Sequence, residues 1–508
     1  HSINMEVERV VPKELNYDSA LPLAIESRNN RRVFLPNNGQ TFTSQASNIV
    51  RIEINADSML DTAHSYLQAR VTLNDANNAT GTGFTGAAFI KRLRIESGGV
   101  VLEDIDEYHR LYSLATQWTS SEGHLKEVCA QSGANQPQYV SGRMRTFAVA
   151  GVGANQDQAN VSTDILSTTT TAPMSSNVGA PADIINNNGS FTIAIPLLSG
   201  LLNLEGGKYL PLVMMNAGIT LEIHLASGAE VFFADGGGGN GNYSVSDVQY
   251  VGQLIDLDRS FYDRMRMVME AQGGVLQLAG TSYRHFLNTF QANNAPAVLN
   301  IPARLKSIKS IFNTFSDSAR YAANGSMGPS VDFACPIADN NTATAQFRIG
   351  SVVYPAKPIS MTKPATGGYP AATLGAAVGA NQSSMSEAFN ECKKAWGKIG
   401  DTHGGGVVTH FNYLADAGSI QNVNVVGRTA ANGPRAFPMF CLGYDFESFQ
   451  RSALESGVNT ADRSLPVILE LGNVQSGNGG ALTARCDTYV MFDSIFYVSL
   501  DGTVSVSV

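Results

Sequence analysis

The stretch FTIAIPLLSGLL, Phe191 to Leu202, and the YLPLVMMNAGITLEIHLAS that follows from Tyr209 to Ser227 decide the fold. In the second piece Ile219, Leu221, Ile223 and Leu225 alternate with Thr220, Glu222 and His224. In the first, Phe191, Ile193 and Ile195 alternate with Thr192 and Ala194. A strand sends successive side chains to opposite faces, so a period of two with one apolar set marks a half-buried strand. Two strands joined by a tight apolar link are expected here. A weaker copy lies downstream, AFPMFCLGYDF from Ala436 to Phe446 and then SLPVILELGN from Ser464 to Asn473, each with a proline beside large apolar residues. The same β unit is therefore expected twice.

The rest of the composition suits such units. A chain of 508 residues has room for two β-sandwiches of about 200 to 250 residues each. Hydrophobic residues at 43% and charged residues at only 15%, with Gly- and Asn-rich punctuation, favour strands and turns and exclude a salt-bridged coiled coil. A net charge of -9 argues against a general nucleic-acid binder, because neutralising phosphates takes clustered Lys and Arg. The densest basic group, Lys91, Arg92 and Arg94, reads as a solvated strand edge, and Arg31 with Arg32 is too small for a packaging arm. The five cysteines, Cys129, Cys335, Cys392, Cys441 and Cys486, show no metal-ligand spacing, and their odd number does not fit a full disulfide framework. Reduced, buried thiols are expected. The longest apolar run, near Ile193 to Leu202, falls well short of the roughly 18 residues of a membrane span. Without a signal-peptide pattern the chain reads as made in the host cytoplasm, and its start at His1 as a processed end.

In chain order, residues 1–34 are polar and mixed in charge and read as an extended arm that other surfaces must order. Residues 35–258 form a first β domain. Within it Val50, Ile52 and Ile54 alternate with polar residues, Leu67, Ala69, Val71 and Leu73 share one face, and Ser97-Gly98-Gly99 turns a hairpin. The period then changes to helical, with Tyr108, Leu111, Tyr112, Ala115 and Trp118 on one face and Asp104 with Glu107 as a capping box. Loops are expected at 130–190 and 235–242, and the strand SVSDVQYVGQLIDLD closes the domain near Asp258. Residues 259–272 are a connector whose methionines fit either period. Residues 273–508 repeat the plan: candidate strands in GVLQLAGTSYRHFLNTF and VLNIPARLKSIKSIFNTF, then a helix with Met385, Phe389, Cys392, Trp396 and Ile399 aligned behind a Ser384–Glu387 box. The closing strands lie in TARCDTYVMFDSIFYVSL. The chain's two tryptophans, Trp118 and Trp396, end the two helices and are the expected structural anchors.

Two consecutive β-sandwiches, each with an inserted helix, resemble the double jelly-roll major capsid proteins of icosahedral double-stranded DNA viruses, of the virophage, polinton-like and nucleocytoplasmic large DNA virus type. The resemblance is carried by FIKRLRIESGGVVLEDI, AIPLLSGLL, YLPLVMMNAGITLEIHL and VQYVGQLIDLD, and extends over residues 35–508. It implies an all-β double jelly roll, a homotrimer of pseudo-hexameric outline, and trimers that tile a viral shell beside neighbouring capsomers, minor capsid and penton proteins. It places the protein in the virion. It further implies that loops 130–190, 235–242, 316–345 and 400–434 serve as towers and intersubunit contacts. The arm would lie inside, against neighbours or an internal membrane where there is one.

No HExxH, GxSxG, Walker A or EF-hand pattern occurs, and DGGGGNGN lacks the Lys-Ser/Thr ending of a phosphate loop. His403 and His410 flank GGGVVT without a shared partner, and Asp256 with Asp258 reads as a solvated strand end. Catalytic, cofactor and metal residues are accordingly expected to be absent, and sequence-specific nucleic-acid binding with them. Asn-x-Ser/Thr triplets, such as those at Asn188 and Asn324, are ordinary turn composition. The competing reading is a carbohydrate-binding or glycan-active double jelly roll. It needs exposed aromatics or paired carboxylates, whereas both tryptophans sit at helical core spacing.

Overall fold

The computed structural model describes residues 25–74, 79–81, 86–120, 184–185, 190–234, 242–271, 273–319, 321, 333–337, 341–363, 385–397, 408, 413, 439–449, 454–475 and 482–508. The expected loops 130–190, 235–242 and 400–434 lie almost wholly outside this set, as do Ser384, Ile399, His403 and His410.

The first β unit contains β1 (Ser27–Phe34), β2 (Thr41–Thr43), β3 (Ile49–Ile54), β4 (Met59–Leu73), β5 (Ala79–Gly81), β6 (Ile90–Ser97), β7 (Val100–Asp106), β8 (Ile184–Ile185), β9 (Ser190–Ile195), β10 (Leu210–Pro211), β11 (Ile219–Leu225), β12 (Phe232–Ala234) and β13 (Tyr243–Leu257). Helix α1 (Tyr108–Thr119) follows β7, and the single turn α2 (Gly228–Val231) precedes β12. One sheet runs β1-β13-β4-β10, with β2 on β13 and β9 on β4; a second runs β3-β11-β6-β7. The alternating residues do what their spacing predicts. Val50, Ile52 and Ile54 from β3, Leu67, Ala69 and Val71 from β4, and Ile219, Leu221, Ile223 and Leu225 from β11 are all buried in one apolar cluster. Each such side chain stabilises by about 1.5–3 kcal/mol relative to exposure.

Four expectations are corrected here. The two strands of residues 191–227 belong to different sheets: β9 pairs with β4, whereas β11 lies between β3 and β6. The segment between them crosses from layer to layer. The arm ends in structure, because β1 pairs in register with β13 from Ser27↔Leu257 to Phe34↔Tyr250. Only Phe34 of β1 is buried. Ladder hydrogen bonds order this strand, and an edge strand wet on both faces carries no apolar alternation to read. Helix α1 is not closed by its expected capping box: it begins at Tyr108 behind Glu107, which is left-handed at φ 50° and makes no side-chain cap. Finally, the Lys91-Arg92-Arg94 group is not a solvated edge, since β6 is an inner strand and all three side chains pair with carboxylates.

The connector is helix α3 (Arg259–Ala271), with Met269 buried and Met267 exposed, so the helical spacing of Met265 and Met269 prevails. Asp258 starts it by accepting from the Ser260 amide at 3.2 Å.

The second unit contains β14 (Val275–Ile301), β15 (Ile308–Asp317), β16 (Thr342–Ile349), β17 (Val352–Thr362), helix α4 (Ser386–Ala395), β18 (Leu442–Asp445), β19 (Val467–Gln475), β20 (Leu482–Ser499) and β21 (Val504–Ser507). Its strands form one continuous path, β17-β16-β19-β14-β20-β15-β18, with β21 on β20. The reason is β14. Through Ala292 it pairs with β20, and from Asn293 it pairs with β19, with register shifts around Ala295. The turn-like QANNAP is thus absorbed as a bulge that bends one strand between two layers, a position where Pro296 is tolerated. Among the described residues no helix is long and apolar enough to cross a membrane.

Candidate functional site

The densest chemistry lies along the seam where the two units meet. Its centre is Glu107, buried at the head of α1. Its carboxylate takes Lys91 Nζ at 2.7 Å from β6, Arg485 Nη2 at 3.0 Å from β20, and the Tyr321 hydroxyl. Its backbone carbonyl accepts from the Tyr489 hydroxyl at 3.1 Å. The left-handed backbone at Glu107 turns the chain out of β7 so that this residue faces the second unit before the helix begins. Such strain costs about 1–3 kcal/mol and persists only where surroundings over-determine it.

Among the described residues around Glu107, Lys91, Arg110 and Arg485 meet the carboxylates of Glu107, Glu230 and Asp487. Lys91 also binds Glu230 of α2, Arg485 binds Asp487 at 2.8 Å, and the fully buried Arg110 of α1 lies 3.3 Å from Asp487 across the seam. His285 Nε2 donates to Asp487 at 2.8 Å, and the Arg485 guanidinium stacks 3.6 Å from the Tyr321 ring. Burial pushes the Glu107 carboxyl up, but His109, Lys91 and Arg485 pull it down further, to about 2. Burial likewise opposes ionisation of Asp487, and Arg110, His285 and Arg485 together hold it far below the usual carboxylate range. Paired and charged, these carboxylates clamp; they are poorly placed to exchange protons with a substrate.

Glu107, His109 and Glu230 also bring metal-type donors within 4.8 Å of one another. Lys91 Nζ already lies between the two carboxylates, so the chain supplies the cation itself, and we assign no metal there.

A second clamp uses Glu103 of β7. This buried carboxylate accepts from the amides of Gly200 at 2.9 Å and Leu201 at 3.1 Å, and from the Ser199 and Ser282 hydroxyls. Ser282 belongs to β14, so one side chain ties the crossing segment to the other unit. Backbones touch at the same place: Leu204 bridges Gly280, and a Cβ on Gly280 would lie 2.1 Å from the Gly200 carbonyl oxygen. A third contact is Lys309 of β15, 2.8 Å from Asp493 and 3.3 Å from Glu205 of the first unit.

The sequence-predicted anchors lie on either side of this seam. Trp118 is 6% exposed, and its ring meets Phe389 at 5.5 Å and Tyr413 at 5.9 Å, both from the second unit. Trp396 is 5% exposed and stacks on Phe312 of its own unit at 3.9 Å. Between the helices opens a cavity of about 610 Å³ lined by Ala115 and Thr119 of α1, by Trp396, and by Lys309, Glu205 and Glu447. Asp256 is half-buried in β13 and Asp258 exposed, so they form no shared site. Sequence reading missed the clamp formed by Glu103, Glu107, Arg110, Arg485 and Asp487, because their partners across the seam, 179 to 382 positions away, leave no local spacing. Arg485 and Asp487 alternating inside the apolar strand TARCDTYVMF were the one available signal.

No family model matches the sequence, and no curated protein does. Solved structures do match over nearly the whole length. The chain is similar to the 3.5 Å Sputnik virophage structure (13% identity, 100% of this chain and 94% of that one, TM-score 0.53). It is similar also to the PBCV-1 virus capsid (10% identity, 97% and 99%, TM-score 0.52) and to the Faustovirus major capsid protein (10% identity, 96% and 92%, TM-score 0.51). The fold is therefore an all-β double jelly roll, two consecutive sandwiches with a short helix in each, as the sequence led us to expect.

Proposed function

We propose that this double jelly roll is a major capsid protein, a non-enzymatic shell component whose chains form homotrimers of pseudo-hexameric outline that tile an icosahedral virion. The observation that carries this reading is the seam. Two jelly rolls in one chain serve a pseudo-sixfold tile only if their mutual orientation is fixed, and the buried clamps of Glu107, Asp487 and Glu103 fix it. Breaking a buried charge pair costs about 3–5 kcal/mol, so such clamps resist shear better than apolar contact alone, which is non-directional. Full-length similarity to capsid folds supports the same reading.

In this assignment residues 35–258, with β1 (Ser27–Phe34) added to their sheet, and 273–508 are the two jelly rolls, 259–272 joins them, and the residues before 27 contact neighbours. Other capsomers, minor capsid and penton proteins are the expected partners. The deciding experiment is the solution mass of the purified chain by light scattering. A species near three times 54.0 kDa, with particles or sheets of trimers by electron microscopy, is expected. A stable monomer that never assembles with co-expressed partners overturns the assignment.

A further inference from the structure

His109 is the one member of the Glu107 cluster that the clamp does not use. It is fully buried on the first turn of α1, and among the described residues neither ring nitrogen has a hydrogen-bond partner. Nε2 lies 3.6 Å from Glu107 Oε2, too far for a hydrogen bond. The charged groups facing it are Glu107 and Arg110 from its own segment, Lys91 from β6 and Glu230 from α2; beyond Glu107 stand Tyr321, Arg485 and Asp487 of the second unit. Lys91, Arg110 and Arg485 balance Glu107, Glu230 and Asp487 with the imidazole neutral. A proton on His109 adds a charge to a fully buried ring, where desolvation penalises it.

We propose that His109 makes the seam an acid-sensitive latch: uptake of one proton by this imidazole favours an arrangement in which the two jelly rolls part along the Glu107 face. Burial is the main reason the closed seam refuses that proton. It drops the imidazole from its ordinary 6.5 to about 4, with Lys91 adding to the drop and Glu107 opposing it. Between pH 6.5 and about 4 an opened seam binds the proton and the closed one does not, so closure weakens as pH falls and the loss is complete only below about pH 4. The span corresponds to about a 300-fold rise in the open fraction. Glu107 acts in a lower window, because its closure-favouring charge is lost only between 4.5 and about 2. The latch therefore responds in mild acid, before the carboxylate clamps do.

The test is hydrogen exchange of the full chain between pH 7 and pH 4, corrected for the intrinsic pH dependence of exchange. Amides at the seam, Arg110, Leu198, Gly200 and Leu201, are expected to lose protection by about 100-fold over this range. Amides deep in the second unit, such as those of β20 paired with β15, are expected to hold. His109→Leu removes the sensor and no hydrogen bond, and is expected to flatten the seam's response while keeping protection at pH 7. A seam whose protection is unchanged down to pH 4, or one that opens equally in His109→Leu, overturns the proposal. Should that variant fail to fold, the wild-type contrast between seam and β20 amides decides alone, and a uniform loss of protection counts against the latch.

Discussion

Helices α1 and α4 occupy corresponding places in the two jelly rolls, yet they do opposite work. Both are short, both bury one face, and both end in a tryptophan. Helix α1 points its charged head and its Trp118 ring across the seam, toward Arg485, Tyr321, Phe389 and Tyr413. Helix α4 meets the Trp118 ring through Phe389 but turns its buried side inward. It lies on β18 so closely that a Cβ on Gly443 would sit 3.1 Å from Cys392 Sγ, and Trp396 stacks on Phe312 of the sheet below. One helix is a bridge, the other a lid on its own core. The difference teaches that a repeated fold need not repeat its energetics: α1 buries charged groups where it meets the other unit, while the residues α4 buries, Ala388, Cys392 and Ala395, are apolar.

The strongest way to break this comparison is at the bridge. Asp487→Ala removes the carboxylate that faces the buried Arg110 and leaves Arg485 to Glu107, and a loss of about 3–5 kcal/mol by denaturant unfolding is expected. The tryptophans separate the two roles at similar cost. Trp118→Ala and Trp396→Ala each cost about 3–5 kcal/mol, but only Trp118→Ala is expected to raise proteolysis at the seam while β20 stays protected. Equal patterns in both variants would dissolve the distinction between bridge and lid. Gly280→Ala puts a methyl against the Gly200 carbonyl and is expected to cost about 1–3 kcal/mol, mostly as a weakened contact between the units. At the small end, Arg92→Ala removes a half-exposed pair with Asp104 on the wet face of β6 and is expected to change stability by less than about 1 kcal/mol. A larger loss there would show that sheet-face pairs matter as much as the seam.

The sequence was readable wherever apolar residues alternate or recur at helical spacing. Ile219 to Leu225, Val50 to Ile54, and the faces ending in Trp118 and Trp396 are buried as their spacing predicts. It misled where polar chain is ordered by a neighbour, as in β1, and where charges meet partners from afar. Glu107 looked like half of a capping box with Asp104, yet Asp104 binds Arg92 and Glu107 binds Arg485.

Taken alone, the sequence determined the all-β class, the two successive units and the two helices, because hydrophobic periodicity is a local property that each segment carries by itself. Only the tertiary structure decided which strands share a sheet, that one long strand folds through a bulge into both layers of the second unit, and that the units are clamped through Glu103, Glu107 and Asp487. Those outcomes depend on pairing between residues hundreds of positions apart. The free energy of a buried charge is set by what surrounds it after folding, not by its neighbours in the chain.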